Sequence, residues 1–557
     1  MENKDYIMYL NSLHNYNAQN KNAYGEKNVN NPYANEIMVN VGLCDFIYNK
    51  LYNDEAHVLI LTGHAGDGKT SIMYQVLTKL GVKYDIKEQI CDIEFAGNKL
   101  CRCIKDFSEL SNNDKLQVLK ESVNMPNAGN YVFMVANTGP LINTFGELFD
   151  DPKDRELAKI ELIDAMDGNT GDIKEIKGYK ICVINVANVD NTYFAGEFLS
   201  NIIKDSLWSR CDECSKKEYC HILRNKKLIS SYKEKVLDFI EKHYIWLTEY
   251  GKRLTIRSMT EQIAFMVTGG FNCSEVEKQD EYMLLFSNLF FGYTGIRENA
   301  KAENILAVKE AKECSYYLKR LRSDEKLLVD RNYETIFASE VLDIINKAEK
   351  KIGELKGWTE FLRRTYMFMN VVTDKEILEN DCEDIFSKQF MGYLRIRNGD
   401  KSTLKATLPL ISDALSMIYI GTTNNEQQIP ITLSRNSGIS QNVQLITGVI
   451  YTRKMKLNLK QTRDSKLNSK KERYILKLSV EGKELDCEIS LPLLDYFEEL
   501  KNGVISTNVD PKLTYGVESL KAELSEKLAD EDDLFEMIVL KNTGSVQIKI
   551  ENDIDAE

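Results

Sequence analysis

The sequence predicts an α/β fold: a mostly parallel sheet covered by helices, then a helical region and a C-terminal α+β domain. Three observations lead there. Unbroken apolar runs with polar tips recur at Val58–Leu61, Tyr131–Ala136 and Ile181–Ala187. Segments of helical period separate them, the alternation that places strands side by side in parallel. The first run leads through a glycine-rich loop into a helical segment. Beyond residue 400 the pattern changes to β-branched and polar runs such as Gln428–Leu433 and Tyr474–Val480, which read as strands of another kind.

The loop is Gly63-His64-Ala65-Gly66-Asp67-Gly68-Lys69-Thr70-Ser71. It has the form G-x-x-x-x-G-K-T in the strand–loop–helix setting that a phosphate-binding loop requires. Glycines let backbone N–H groups turn inward as an anion nest, and the following helix adds the positive end of its dipole. Lys69 is expected to reach the β- and γ-phosphates of ATP, and the Thr70 hydroxyl to sit on Mg²⁺. Ile72, Val76 and Leu80 follow at helical spacing, and Gly81 stands where a C-terminal cap belongs. The class this predicts is a P-loop NTPase of AAA+-like build.

A second acidic strand is expected beside the first. Leu100–Ile104 runs into Lys105-Asp106-Phe107-Ser108-Glu109. Asp106 suits the Mg²⁺ shell, and Glu109 is the candidate for polarising the attacking water. The two acids are spaced apart, and Arg102 interrupts the run. Asn137, at the tip of the Tyr131 strand, is the candidate sensor that orients water, with a turn-forming Asn ahead of Gly139-Pro140 as the rival reading. Further on, Arg257 at the entry to a lid-like helix, and Arg363 and Arg364 after Trp358, are candidates for offsetting transition-state charge, as a sensor or as a finger offered to a neighbouring subunit.

Bulk properties fit a globular protein of several domains: 557 residues, 43% hydrophobic, 28% charged, net charge −13. No apolar run approaches the ~18 residues needed to span a bilayer. The opening Met1–Tyr6 lacks a signal-peptide core, so the cytoplasm is the expected compartment. The acidic balance argues against nucleic-acid binding over the whole surface but not against a local basic patch. One such patch exists: Arg453–Arg473 holds nine Lys and Arg against two acids. It is a candidate contact for duplex DNA, with binding that weakens steeply in salt. A solvated loop is the rival reading.

Of twelve cysteines, three cluster as Cys211-x₂-Cys214-x₅-Cys220-His221. Two thiolates at C-x₂-C spacing suit one tetrahedral ion, with Cys220 or His221 as a third ligand and His221 or Cys273 as the fourth. Zinc fits better than iron–sulfur, and buried free thiols are the alternative. Before the first strand, Glu36–Leu51 reads as one helix. The expected layout is a lead-in over 1–50, the NTPase core over 51–250 with the Cys-rich insert at about 205–225, a helical lid region over 251–400, and the C-terminal domain over 401–557.

Taken together, the GHAGDGKT loop, Lys105–Glu109, the strand ending Ala136-Asn137-Thr138-Gly139, and Trp208…Cys211-x₂-Cys214-x₅-Cys220-His221-Ile222…Asn225 resemble the DptF proteins. These are P-loop ATPase components of DNA phosphorothioation-dependent restriction in bacteria. The motifs of the resemblance span roughly 50–400, and His221 departs from an expected proline. The resemblance implies a cytoplasmic ATPase of antiviral defence, acting with other subunits of a restriction complex; assembly with further copies of itself stays open. An ATP-ordered scaffold with little turnover, and an ATPase of another phage-defence system, are the alternatives.

Overall fold

The computed structural model describes residues 3–14, 31–82, 88–95, 99–168, 171–314, 319–421, 427–432, 443–462, 467, 472–504, 511–528, 535–541 and 544–550. The chain divides into two units, Met1–Asp381 with Arg463–Lys471, and Cys382–Thr462 with Glu472–Glu557. The helices that follow residue 250 therefore share the first unit with the sheet, as far as Asp381.

The first unit is built on six strands: β1 (Val58–Thr62), β2 (Ile90–Phe95), β3 (Lys99–Ile104), β4 (Tyr131–Val135), β5 (Ile173–Ile176) and β6 (Tyr179–Asn185). Their order is β2-β3-β4-β1-β6-β5. The four inner strands pair in parallel, while β2 and β5 are antiparallel edges. The sheet is thus mixed and mostly parallel. One expectation is corrected. The strand leading to Asp106 does not lie beside β1, because β4 stands between them.

Period-two alternation explains the layering. Leu59 and Leu61 of β1 face Ile72, Met73, Val76 and Leu77 of the helix Lys69–Lys79. Leu467, from the 463–471 segment, is buried in this same cluster. Val58 and Ile60 face the opposite layer, with Leu119, Leu141, Phe145 and Leu162 from three helices. Strands buried on both faces need apolar residues at every position, and β1 and β4 are buried throughout. Each such Leu, Ile or Phe contributes about 1.5–3 kcal/mol.

β3, next to the edge strand β2, obeys another rule. Arg102 on β3 pairs across to Asp92 on β2 through two hydrogen bonds of 2.8 and 2.9 Å, and to Glu121 at 2.9 Å. A charge inside this strand is therefore a cross-strand ion pair on a half-exposed face.

The expected helix Glu36–Leu51 is two helices, Pro32–Ile37 and Gly42–Tyr52. Side-chain amides cause the break. Asn201 donates to the carbonyls of Ile37 and Met38 at 3.3 and 3.0 Å, and Gln75 donates to that of Val39 at 3.1 Å. A continuous helix would need those carbonyls for its own ladder.

Past β6 the first unit is mainly helical. Phe239, Phe290, Phe291 and Phe368 meet there largely edge to face. The ribbon β7 (Tyr293–Thr294) and β8 (Arg297–Glu298) interrupts the helices.

The second unit is α+β with antiparallel sheets. One has the order β15-β14-β10-β9 and the other β11-β12-β13, where β9 is Gln428–Thr432, β10 Val443–Tyr451, β11 Met455–Gln461, β12 Tyr474–Val480, β13 Lys483–Glu488, β14 Phe535–Lys541 and β15 Gly544–Ile550. No helix among the described residues is long and apolar enough to cross a membrane.

Candidate functional site

The carboxyl ends of β1, β3 and β4 converge, the usual location of ligand sites in open α/β sheets. β1 turns through the 63–68 loop into the helix Lys69–Lys79. Gly66 and Gly68 hold φ of +94° and +80°, values that only glycine adopts without strain. The glycines also let another segment approach. A Cβ on Gly66 would stand 3.0 Å from Thr255 Oγ1, and one on Gly68 would stand 3.2 Å from Ile256 Cδ1. The Arg257 N–H donates to the Gly66 carbonyl at 3.1 Å. The start of the helix Ile256–Thr268 is therefore packed directly on the loop.

Lys69 is buried. Its ammonium donates to the carbonyls of Gly63 and His64 at 3.1 and 2.8 Å, and to Asn137 Oδ1 at 3.1 Å. Burial lowers its pKa, and the Arg257 charge acts the same way, while Asp67 and Asp106 oppose them. Asp67 braces the loop. It is 1% exposed, its Oδ2 accepts the His64 N–H at 2.8 Å, and its Oδ1 lies 3.5 Å from the Arg253 guanidinium. Its carboxylate thus faces the loop's own amide and an arginine. His64, Ala65 and Ser71 are exposed, while Thr70 is half-buried on the first turn of the helix.

Asp106 follows β3 and is half-buried. Burial raises its carboxyl pKa, and the neighbouring Glu109 raises it further, while Lys69 and the Ser108 N–H lower it. Glu109 is exposed. Asn137 follows β4, where its N–H donates to Ser108 Oγ at 2.7 Å. Thr62 and Thr138 join β1 to the start of the next helix through their hydroxyls at 3.0 Å. Lys69, Asp106 and Asn137 are therefore brought together, with Glu109 beside Asp106 and Arg257 above the loop.

Sequence patterning missed the supports of this cluster: Ser108, Arg253 and Gln89, whose amide donates to the Asp106 carbonyl at 2.8 Å. It also missed Glu261. Burial pushes that carboxyl up to about 7, against the pull of Arg257 one turn earlier.

The Arg363–Arg364 pair is a correction. Both side chains are buried in the helix Trp358–Met369. Arg363 Nε donates to Asp324 Oδ1 at 3.0 Å, and its Nη2 bonds the other carboxylate oxygen. Arg364 donates to Asn288 Oδ1 at 2.7 Å and stacks 4.1 Å from the Tyr293 ring centroid. These guanidinium groups hold the helical region together, and a phosphate would have to break a buried ion pair to recruit Arg363.

In the cysteine cluster, Cys211, Cys214, Cys220 and Cys273 line one cavity. Burial pushes the Cys211 thiol up to about 11 and raises that of Cys220. His221 lies elsewhere. It is fully buried, its Nε2 is 3.3 Å from the Thr268 carbonyl, its ring meets Phe271 edge-on, and burial lowers its pKa to about 4.

Of the basic stretch, residues 463–466 and 468–471 lie outside the described residues. In the turn before β11 Lys454 pairs with Glu481 at 2.7 Å, and on β11 Lys460 pairs with Glu484. Part of the charge is thus answered within the second unit.

Comparison with known proteins finds no matching family model, no matching curated protein and no matching solved structure.

Proposed function

We propose that the chain is a Mg²⁺-dependent ATP hydrolase of the P-loop class, with an AAA+-like core. One observation carries the reading: the Lys69 ammonium sits 3.1 Å from Asn137 Oδ1 and feels the Asp106 carboxylate, although these residues come from three different strand ends. A glycine turn with no ligand has no need of this convergence.

The donor set fits a hard divalent cation: the Thr70 hydroxyl and a half-buried carboxylate that is itself short of positive charge. Mg²⁺, when bound, neutralises charge on the phosphate oxygens. The chain's own groups do the rest. The 63–68 amides and Lys69 bind phosphate, with Lys69 exchanging its carbonyl partners for phosphate oxygens. Asn137 orients water, and Glu109 accepts its proton. Arg257 offsets charge that develops in the transition state.

The biological setting rests on the resemblance to DptF proteins. It is a cytoplasmic defence complex in which hydrolysis drives assembly or DNA engagement, with partner subunits, further copies of the chain, and duplex DNA at 453–473. Exposure of Glu109 favours a second reading, an ATP-ordered docking scaffold with little turnover.

ATP turnover of wild type, Lys69→Ala and Glu109→Gln, each with and without duplex DNA, separates the two. The hydrolase reading expects Lys69→Ala to lose about 10²-fold or more. Unchanged turnover in that variant removes it. Tight ATP binding without turnover in every DNA condition selects the scaffold.

A further inference from the structure

The cysteine cavity takes no part in the nucleotide reading. It holds about 20 Å³, room for roughly one water-sized sphere. Four of its lining residues are cysteines drawn from three places: the C-terminal end of the helix Asp205–Asp212, the turn before the helix His221–Ser231, and the short helix Cys273–Glu275. We propose that Cys211, Cys214, Cys220 and Cys273 bind one Zn²⁺ as a closed tetrathiolate site that pins the 211–220 turn to the segment at 273.

Polar and charged groups surround the four cysteines. The Asn3 side chain hydrogen-bonds the Cys211 sulfur. Cys220 is the N-cap of the 11-residue helix His221–Ser231. A buried cation stands nearby. Arg224 feels the charge of Glu281 and stands beside Cys220, and its Nε and Nη2 are buried with no hydrogen-bond partner among the described residues. Orphaned guanidinium atoms are costly unless an anion is near.

Four thiolates on Zn²⁺ carry a net charge of −2, and binding releases the four thiol protons. Arg224, Lys216 and Lys217 supply the opposing charge around the cavity. Lys216 also ties the two halves of the site, donating to the Cys273 carbonyl at 2.8 Å.

As they stand, no three His, Cys, Asp or Glu side chains among the described residues surround a point at ligand distance. Binding therefore asks the thiols to turn about χ1 until each sulfur is ~2.3 Å from the ion. His221 is not in the set, because it does not line the cavity. With four protein ligands and no open position, the site is structural.

The test is metal analysis of the full-length protein after exhaustive dialysis. Wild type and Lys69→Ala are expected to carry about one zinc per chain, and Cys214→Ser under about a tenth of that. Cobalt substitution then counts thiolates, with weaker sulfur-to-cobalt absorption expected in Cys273→Ser than in wild type. If the serine variants fail to fold, wild type alone decides, with four more reactive thiols expected after a zinc chelator is added. Less than about a tenth of a zinc per chain in wild type, or no rise in reactive thiols on chelation, overturns the site. Iron in place of zinc overturns the metal, and an unchanged cobalt spectrum in Cys273→Ser overturns the ligand set. Loss of ATP turnover in Lys69→Ala with zinc retained keeps this question apart from the nucleotide one.

Discussion

Replacing Gly66 with alanine probes the loop and the segment packed on it together. At φ +94° an L-residue costs about 1–3 kcal/mol. The new Cβ would also stand 3.0 Å from Thr255 Oγ1 and 3.3 Å from Arg257 Cβ. Thr255 Oγ1 caps its helix by accepting the Ser258 N–H at 3.2 Å, an interaction worth about 1 kcal/mol. The Arg257 N–H to Gly66 carbonyl bond at 3.1 Å adds about 0.5–1.5 kcal/mol. Alanine strains the first term and pushes apart the other two, for a total of about 2–4 kcal/mol once partial relaxation is allowed.

Where that cost falls depends on the loop. If the backbone holds its shape, the melting temperature drops by about 2–5 °C. If the loop relaxes toward negative φ, its amides turn away from the phosphate position and ATP affinity falls about 30- to 10³-fold. Thermal unfolding and equilibrium binding of a fluorescent ATP analogue, both on the full chain, read the two routes. A variant within about 1 °C and about twofold of wild type on both measures would refute the loop geometry and its contact with residues 255–257.

Arg363→Ala should destabilise by about 3–5 kcal/mol, since it leaves the Asp324 carboxylate buried and unanswered. Denaturant unfolding should show the double variant with Asp324→Ala recovering much of that loss, while ATP affinity stays put. Glu261 supplies a pH dependence. Its folded pKa, about 7, lies above the ordinary 4.5, so the unfolded chain gives up this proton first and stability falls as pH rises from about 4 to 7. Glu261→Gln should therefore be more stable than wild type at pH 8, by about 2–3 kcal/mol, and no more stable at pH 4; an equal difference at both pH values would count against it. Asp106→Asn removes a carboxylate that burial and Glu109 both disfavour. It should melt slightly higher than wild type while losing about 10²-fold or more in Mg²⁺-dependent turnover. A variant that melts lower, or that turns over normally, would contradict its place in the site.

What patterning could reach, and what it could not, follows from burial. β1, β4 and β6 were legible because the inner strands of a covered sheet are apolar without interruption. β2 and β5 escaped notice because they are edges. Ile173-Lys174-Glu175-Ile176 is exposed at three of its four positions, so nothing in its composition marks it as part of a sheet. Arg102 in β3 looked like a defect and is a pairing device, visible only once Asp92 and Glu121 are alongside.

The arginines make the same point more sharply. Arg257 and Arg363 both lie on helices, and local sequence offers no ground for separating them. What separates them is an acid 39 positions from Arg363 that the fold buries against it, while Arg257 sits where its backbone bonds the glycine loop. Motifs nominate residues by type. Pairing across long stretches of chain decides which charge is already satisfied and which is left for a ligand. Lys69 belongs to both groups, since all three acceptors around its ammonium are neutral oxygens. Neutral carbonyls satisfy a lysine's geometry but not its charge, and a phosphate oxygen satisfies both. Exchanging one set for the other is thus favourable without disturbing a buried ion pair, which is the physical reason to place the phosphate at Lys69 and not at Arg363.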